Sequence, residues 1–285
     1  RSTVQLLSGA HDEGACRPLM DGDFVVATIQ TMSMCSIHVS LLQSFGFTII
    51  DEAHGMCAPT FCKASQHVHS SRVLALSATP ERSDGMHAGM PLMLGPILFR
   101  VARPTPLIKP LVRAVGYRNP TKEIASRGLG GRKQPRVAAM ITEMAADARR
   151  TEVIAKLLQE LRREGREILV LSERVQLLHD IADHLPEGER GVLTGKTKKG
   201  DRASATLRPV VLASYGLCRE GFDKACLDTL VMATPITNIE QSVGRILRGA
   251  SSNRPLIVDI CDSVSLFPAY ASKRRRFYAK EGYET

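Results

Sequence analysis

Six short apolar runs, spaced by amphipathic stretches, constrain this chain more than any other feature. They are "FTIID" (47–51), "RVLALS" (72–77), "EILVLS" (167–172), "PVVLAS" (209–214), "LDTLVMA" (227–233) and "PLIVDI" (255–260). Strands this continuously apolar are buried on both faces, and that requires a parallel sheet with helices on either side. The intervening stretches have helical period. In "EVIAKLLQELRREG", Ile154, Leu157, Leu158 and Leu161 share one face and Gly165 ends the helix. Ser172 is placed to cap the next helix, "ERVQLLHDIADHL", which stops before Pro186. The expected fold class is α/β with parallel sheets.

A Pro-rich, basic stretch breaks this alternation. It has prolines at 104, 106, 110, 120 and 135 and includes "RGLGGRKQPR". It divides the chain into a first lobe at 1–103, a connection at 104–148 and a second lobe at 149–285. The 285 residues suffice for two domains, and 44% hydrophobic residues suffice for two cores. Lys and Arg number 38 against 29 Asp and Glu, a net charge of +9, which suits a polyanionic partner. Seven cysteines without a C-x-x-C pair suit a reducing, intracellular compartment. The longest apolar run, "MPLMLGPILF", is too short to span a bilayer, so no membrane partner is expected. The chain opens on Arg1 rather than Met and is read as a piece of a longer protein, with targeting and oligomeric state left open.

Two segments carry chemistry. "IIDEAHG" (49–55) puts Asp51 and Glu52 directly after a strand, where open parallel sheets bind ligands. Two acids alone read first as an ordinary acidic strand end. "TNIEQSVGRILRG" (237–249) has capping-box spacing between Thr237 and Glu240. On that helix Gln241, Arg245 and Arg248 fall within a stripe about 60° wide, opposite Ile239, Val243, Ile246 and Leu247. The arginines read either as a solvated face or as guanidinium forks for phosphate.

Together with "LALSATPER" (74–82) and "YGLCREGFD" (215–223), these segments resemble, in order, the motifs of superfamily 2 helicases of the DEAH type. The resemblance covers nearly the whole chain. "LVLSERV", "GVLTGKTKK" and the tail "KRRRFYAKEGYE" are most similar to the Rad25-like group, which includes helicases of large DNA viruses. It implies two RecA-like lobes, the first incomplete, with ATP and Mg²⁺ as cofactors and nucleic acid, DNA rather than RNA, as partner. Asp51 would bind Mg²⁺ and Glu52 would activate the attacking water. His54 would link the ATP site to neighbouring motifs, and Ser77 and Thr79 would couple hydrolysis to strand movement. Gly221 and Asp223 would face the nucleotide. Gln241, Arg245 and Arg248 would act on the phosphates. Thr28 and Gln30 of "ATIQT", with Arg82 and Ser214, would contact the nucleic acid. Two rivals stay open: a nucleic-acid-gripping module without hydrolysis, and the motor part of a restriction or transcription-release enzyme.

"GVLTGKT" (191–197) resembles a phosphate loop but has three residues, not four, between its glycines. The expectation is that it is no ATP cradle, and that the true loop lies upstream of Arg1, so these 285 residues alone would be inactive. His54, Cys57, Cys62, His67 and His69 crowd together, but their spacing fits no standard zinc finger. "KRRR" (273–276) reads as a solvated helix face, with nucleic-acid contact and a nuclear signal as alternatives. "KTKKG" and "GGRKQPR" are basic and flexible enough to touch phosphates. Aromatics are 5% and Trp is absent, so backbone charge rather than base stacking should dominate binding.

Overall fold

All six apolar runs form strands. The computed structural model describes residues 4–7, 23–34, 42–78, 85–101, 108–120, 124–127, 133–219, 224–247 and 253–285. The chain divides into two compact units, Arg1–Arg103 and Pro104–Thr285.

In the first unit, β1 (Val4–Leu7) pairs in parallel with β2 (Phe24–Ala27), which leads into the short helix α1 (Ile29–Met34). A second parallel pair joins β3 (Phe47–Ile50) to β4 (Arg72–Ala75), in register from Phe47 opposite Arg72 to Ile50 opposite Ala75. Two 3-10 turns, Ala53–Cys57 and Cys62–His67, separate these strands, and α2 (Met90–Leu94) follows. Buried Ala53, Met56, Cys57, Ala64 and Met90 come from the turns and α2, while Phe24, Phe47, Ile49 and Leu74 on the strands are exposed, so β3 and β4, among the described residues, are not the doubly buried strands that their apolar runs predict.

The second unit takes in the whole of the expected connection, from Pro104 onward. Residues Leu111–Tyr117 form β5, an edge strand of the main sheet, so the stretch 104–148 is more than a linker. Prolines at both ends of this strand hid a run, "LVRAVGY", whose Leu111, Val115 and Tyr117 pack on the core. A small antiparallel pair follows, β6 (Ala125–Arg127) with β7 (Lys133–Pro135), and then α3 (Val137–Ala145). Next come α4 (Ala148–Arg163), β8 (Ile168–Ser172), α5 (Val175–Asp183), β9 (Arg190–Leu193) and α6 (Lys199–Thr206). The unit ends with β10 (Val210–Ser214), α7 (Tyr215–Arg219), β11 (Thr229–Met232), α8 (Glu240–Ile246), β12 (Leu256–Asp262) and α9 (Phe267–Glu281).

The six-stranded sheet has the order β5-β12-β11-β8-β10-β9, and every pairing in it is parallel. Alternate residues of each central strand feed opposite cores. Ile168, Val170, Val210 and Leu212 pack beneath α4 and α5 with Ile154, Leu158 and Ile181. Leu169, Leu171, Val211 and Ala213 pack on the other face with Val243, Ile246 and Tyr278. Burying an aliphatic side chain of this size contributes about 1.5–3 kcal/mol, so these two layers hold the unit together. Helix α4 shows how local sequence sets the boundaries. Asp147 caps its start, accepting from the Arg149 and Arg150 N–H groups. At its end Gly165 takes φ 75°, letting the Arg166 N–H reach Leu161 O and its own N–H reach Arg162 O.

Candidate functional site

In the first unit the acidic pair sits where β3 ends. The β3–β4 ladder continues past the strands, through Leu76 N–H to Ile50 O (2.8 Å) and Ala53 N–H to Leu76 O (2.9 Å). These bonds hold residues 51–53 against the segment that leads to Ser77. Asp51 Oδ1 accepts the Glu52 N–H at 2.8 Å, and both acids are exposed. Glu52 has left-handed backbone, φ 48° and ψ 45°. That conformation costs a non-glycine residue about 1–2 kcal/mol and recurs at functional sites. It turns the chain sharply into the first 3-10 turn and sets the Glu52 carboxylate 3.3 Å from His54 Nδ1.

His54 Nδ1 also lies 3.0 Å from Ser77 Oγ. The Glu52 carboxylate and the Ser77 hydroxyl both lie within reach of the same ring nitrogen. Three residues of two separate motifs are thus connected through one ring nitrogen. Thr79 and Arg82 lie outside the described residues. Thr28 Oγ1 accepts the Thr31 N–H at 3.2 Å and pairs with Thr31 Oγ1 at 2.9 Å, so this hydroxyl starts α1; Gln30 is exposed. The histidine–cysteine cluster does not converge: among the described residues no three His, Cys, Asp or Glu side chains gather as metal ligands. His67 is held below the ordinary histidine pKa by burial first and by His69 second.

The second unit has its own candidate site at the carboxyl ends of β8 and β10. Strand β8 is the switch point, since successive connections run to either side of it. A cavity of about 320 Å³ opens there, lined by Ser172, Glu173, Arg174, Ser214, Tyr215, Gly216 and Ile236. Ser214 is half-buried and its Oγ accepts the Leu217 N–H at 3.4 Å, at the start of α7. Ser172 does not cap α5, whose N-cap is Arg174. Its hydroxyl instead accepts the Arg174 N–H and donates to Arg174 O, both at 2.9 Å, closing a tight turn at the cavity rim.

The arginine helix differs from expectation in two ways. Helix α8 starts at Glu240, whose N–H donates to Asn238 Oδ1 at 3.3 Å, and the Thr237–Glu240 capping box does not form. Ile239, Val243 and Ile246 are buried as expected, but Arg245 does not simply point outward. It is half-buried and its Nη2 donates to Cys218 O at 2.8 Å, tying α8 to α7. A guanidinium has five donors, and a nearby carbonyl uses some of them when the helix packs this closely. Gly221, Asp223 and Arg248 lie outside the described residues, as does the side chain of Gln241.

The "GVLTGKT" stretch is the end of β9 and a turn. The Thr194 N–H donates to Thr197 Oγ1 (2.8 Å) and the Thr197 N–H to Thr194 O (3.0 Å), so these amides are used within the turn. A Cβ built on Gly191 would strike the Ala205 backbone of α6, with Ala205 C at 2.7 Å and Cα at 2.8 Å. Gly191 is a close-packing glycine, and Lys196 is exposed on the turn.

Sequence reasoning also missed a set of buried charges. Arg274, inside the "KRRR" expected to be solvated, is 2% exposed, and Arg150 is 1% exposed. Arg274 Nε and Nη2 bond Asp259 at 2.7–3.0 Å, and Arg150 Nε and Nη2 bond Asp262 at 2.9 and 3.0 Å. Burial opposes the Arg274 charge, yet the Asp259 bonds and charge hold its pKa above the ordinary value. Tyr278, whose hydroxyl donates to Asp259 Oδ2, is pushed up by burial and by that carboxylate. The signal was present: Arg274 lies on the helical stripe of Phe267, Ala271 and Tyr278, and an Asp within "LIVDI" needs a partner.

Residues 5–82, which include the acidic pair and Ser77, match the family described as the type III restriction enzyme res subunit. An Acanthamoeba polyphaga mimivirus protein with the provisional name ATP-dependent RNA helicase is 32% identical over 270 residues, 91% of this chain and 52% of that protein. This chain is similar to viral proteins named as helicases. An African swine fever virus protein with the same provisional name is 26% identical over 310 residues, covering 96% of this chain and 58% of its own length. The chain thus spans roughly half the length of these relatives. Among solved structures, T4 UvsW aligns with 98% of this chain and 60% of its own, at 19% identity and a TM-score of 0.47. No helix among the described residues is long and apolar enough to cross a membrane.

Proposed function

We propose that this chain is the motor region of an ATP-dependent nucleic-acid helicase or translocase. The observation that carries this reading is the connected set Asp51, Glu52, His54 and Ser77, at the carboxyl ends of two parallel strands. Asp51 fits a magnesium ligand. It is an exposed carboxylate at a strand end, and Mg²⁺ takes one or two carboxylates and completes its shell with phosphate oxygens and water. Bound Mg²⁺ would neutralise phosphate charge. Glu52 would orient and deprotonate water, and His54, within reach of both Glu52 and Ser77, would link the two. Arg245, with Arg248 and Gln241, would act on phosphates from α8, and Gly221 and Asp223 would face the nucleotide. Thr28, Gln30, Arg82 and Ser214 would meet the polymer backbone.

No segment of these 285 residues has the spacing G-x-x-x-x-G-K-[ST] of a phosphate loop. The same fact favours a second reading, a module that grips nucleic acid without hydrolysis. The test is ATP turnover by a protein extended upstream, with single-stranded DNA and RNA side by side, since the relatives are named for RNA and the motif resemblance implies DNA. Glu52→Gln should lower turnover by about 10²–10⁴ with ATP binding retained. Binding of nucleic acid without turnover by the unaltered protein would establish the second reading, and neither binding nor turnover would reject both.

A further inference from the structure

We infer that Arg150 and Arg274 are positioning residues that fix the four-residue loop 233–236, and through it the arginine helix α8. This rests on the helicase reading only for its consequence in catalysis; the geometry stands by itself. The two arginines come from helices on opposite faces of the sheet. Arg150 of α4 binds Asp262 and Arg274 of α9 binds Asp259, both on β12. Each then places its remaining Nη1 on the same loop. Arg150 Nη1 donates to Ala233 O at 2.7 Å, and Arg274 Nη1 donates to Ile236 O at 2.6 Å.

Between these two carbonyls the loop is held twice more. The Tyr215 hydroxyl donates to Thr234 O at 3.0 Å, and the Glu173 N–H donates to Thr234 Oγ1 at 2.9 Å. Tyr215, Glu173 and Ile236 also line the cavity at the switch point. One loop therefore joins β11, the cavity wall and the start of α8, and it is anchored from both faces of the sheet.

Stability alone is a poor account of this arrangement. A buried ion pair contributes little beyond a well-packed apolar substitute, because desolvation offsets the Coulomb attraction. Its distinctive property is direction: a planar guanidinium held bidentate by a carboxylate has its third nitrogen aimed along a fixed line. Helix α8 spans only Glu240–Ile246 and is held on the core by Val243 and Ile246 and on α7 by Arg245, and the loop before it fixes the end from which it starts.

The experiment uses Arg274→Lys and Arg150→Lys, which keep the charge and lose the fork, with Asp259→Asn as an independent break of one clamp. Hydrogen exchange of the 285-residue chain is the first readout. Amides of residues 234–246 should exchange about tenfold or more faster, while those of β8 and β10 keep their native rates. In a protein extended upstream, kcat for ATP should fall about tenfold or more with KM within about threefold. Unchanged exchange at 234–246, or acceleration spread evenly over the sheet, overturns the positioning role. If the extended wild-type protein turns over no ATP, the helicase reading falls and the exchange result still decides this one.

Discussion

Gly191→Ala tests what the "GVLTGKT" stretch is for. If it were a phosphate cradle, its glycines would serve an open backbone and both would matter for ligand binding. The structure separates them. At Gly191 an added Cβ runs into Ala205 O, with Ala205 C and Cα at 2.7 and 2.8 Å, all backbone atoms of α6. No side chain can swing away, so relief requires α6 to lift from β9. Overpacking of this kind costs about 1–3 kcal/mol. At Gly195 nothing lies within 4 Å of the added Cβ, and an Ala there should change stability by less than about 0.5 kcal/mol, or raise it slightly by restricting the unfolded chain. Urea unfolding of the 285-residue chain, followed by far-UV circular dichroism because Trp is absent, reads the difference. With a denaturant slope of about 2 kcal/mol per molar, Gly191→Ala should lower the midpoint by about 0.5–1.5 M at unchanged slope. A neutral Gly191→Ala, or an equal loss at Gly195→Ala, would refute the packing argument. Loss of ATP binding on Lys196→Ala in an extended protein would restore the cradle.

Other consequences are open to direct measurement. Leu158→Ala empties a fully buried site between α4 and the sheet and should cost about 2–5 kcal/mol in thermal unfolding; a loss below about 1 kcal/mol would mean the core is not packed as described. Tyr117 is pushed up to about 12, by burial first and by its bond to Asp147 second. Its folded pKa lies above the unfolded value of about 10, so its contribution is complete below that pH and is lost as pH rises through about 12. Tyr117→Phe should flatten the fall in stability across that window, and an unchanged slope would count against the Asp147 bond. Ser77→Ala removes the hydroxyl facing His54 and, in an extended protein, should reduce strand movement more than ATP turnover; equal losses in both would remove its coupling role. With a net charge of +9 and few aromatics, affinity for single strands should fall about tenfold or more between low and physiological salt, and a flat salt dependence would reject backbone-dominated binding.

The sequence by itself determined six of the strands, including the four central ones of the main sheet, the helices around Ile154 and Val175, and the acidic and arginine motifs. Near-continuous apolar runs leave few alternatives to buried strands, as at Ile168–Leu171, and glycine at 165 stops α4 for a purely local reason. Ile239, Val243 and Ile246 were legible as a buried face because helical period is a local property. The strand at Leu111–Tyr117 was less so, since its partner β12 comes more than a hundred residues later and its prolines argue locally for a loop. Only the tertiary structure decided the fate of the charges. Helical period puts Arg150 on the face of Ile154 and Leu158 and Arg274 on that of Ala271 and Tyr278, but their partners Asp262 and Asp259 lie 112 and 15 residues away, and nothing local names those partners. The tertiary structure also decided that Gly191 is there for the approach of α6, that Arg245 ties α8 to α7, and that Glu52, His54 and Ser77 meet. Periodicity records which side of an element is apolar, whereas pairing a buried charge or spacing two backbones depends on which distant element packs there.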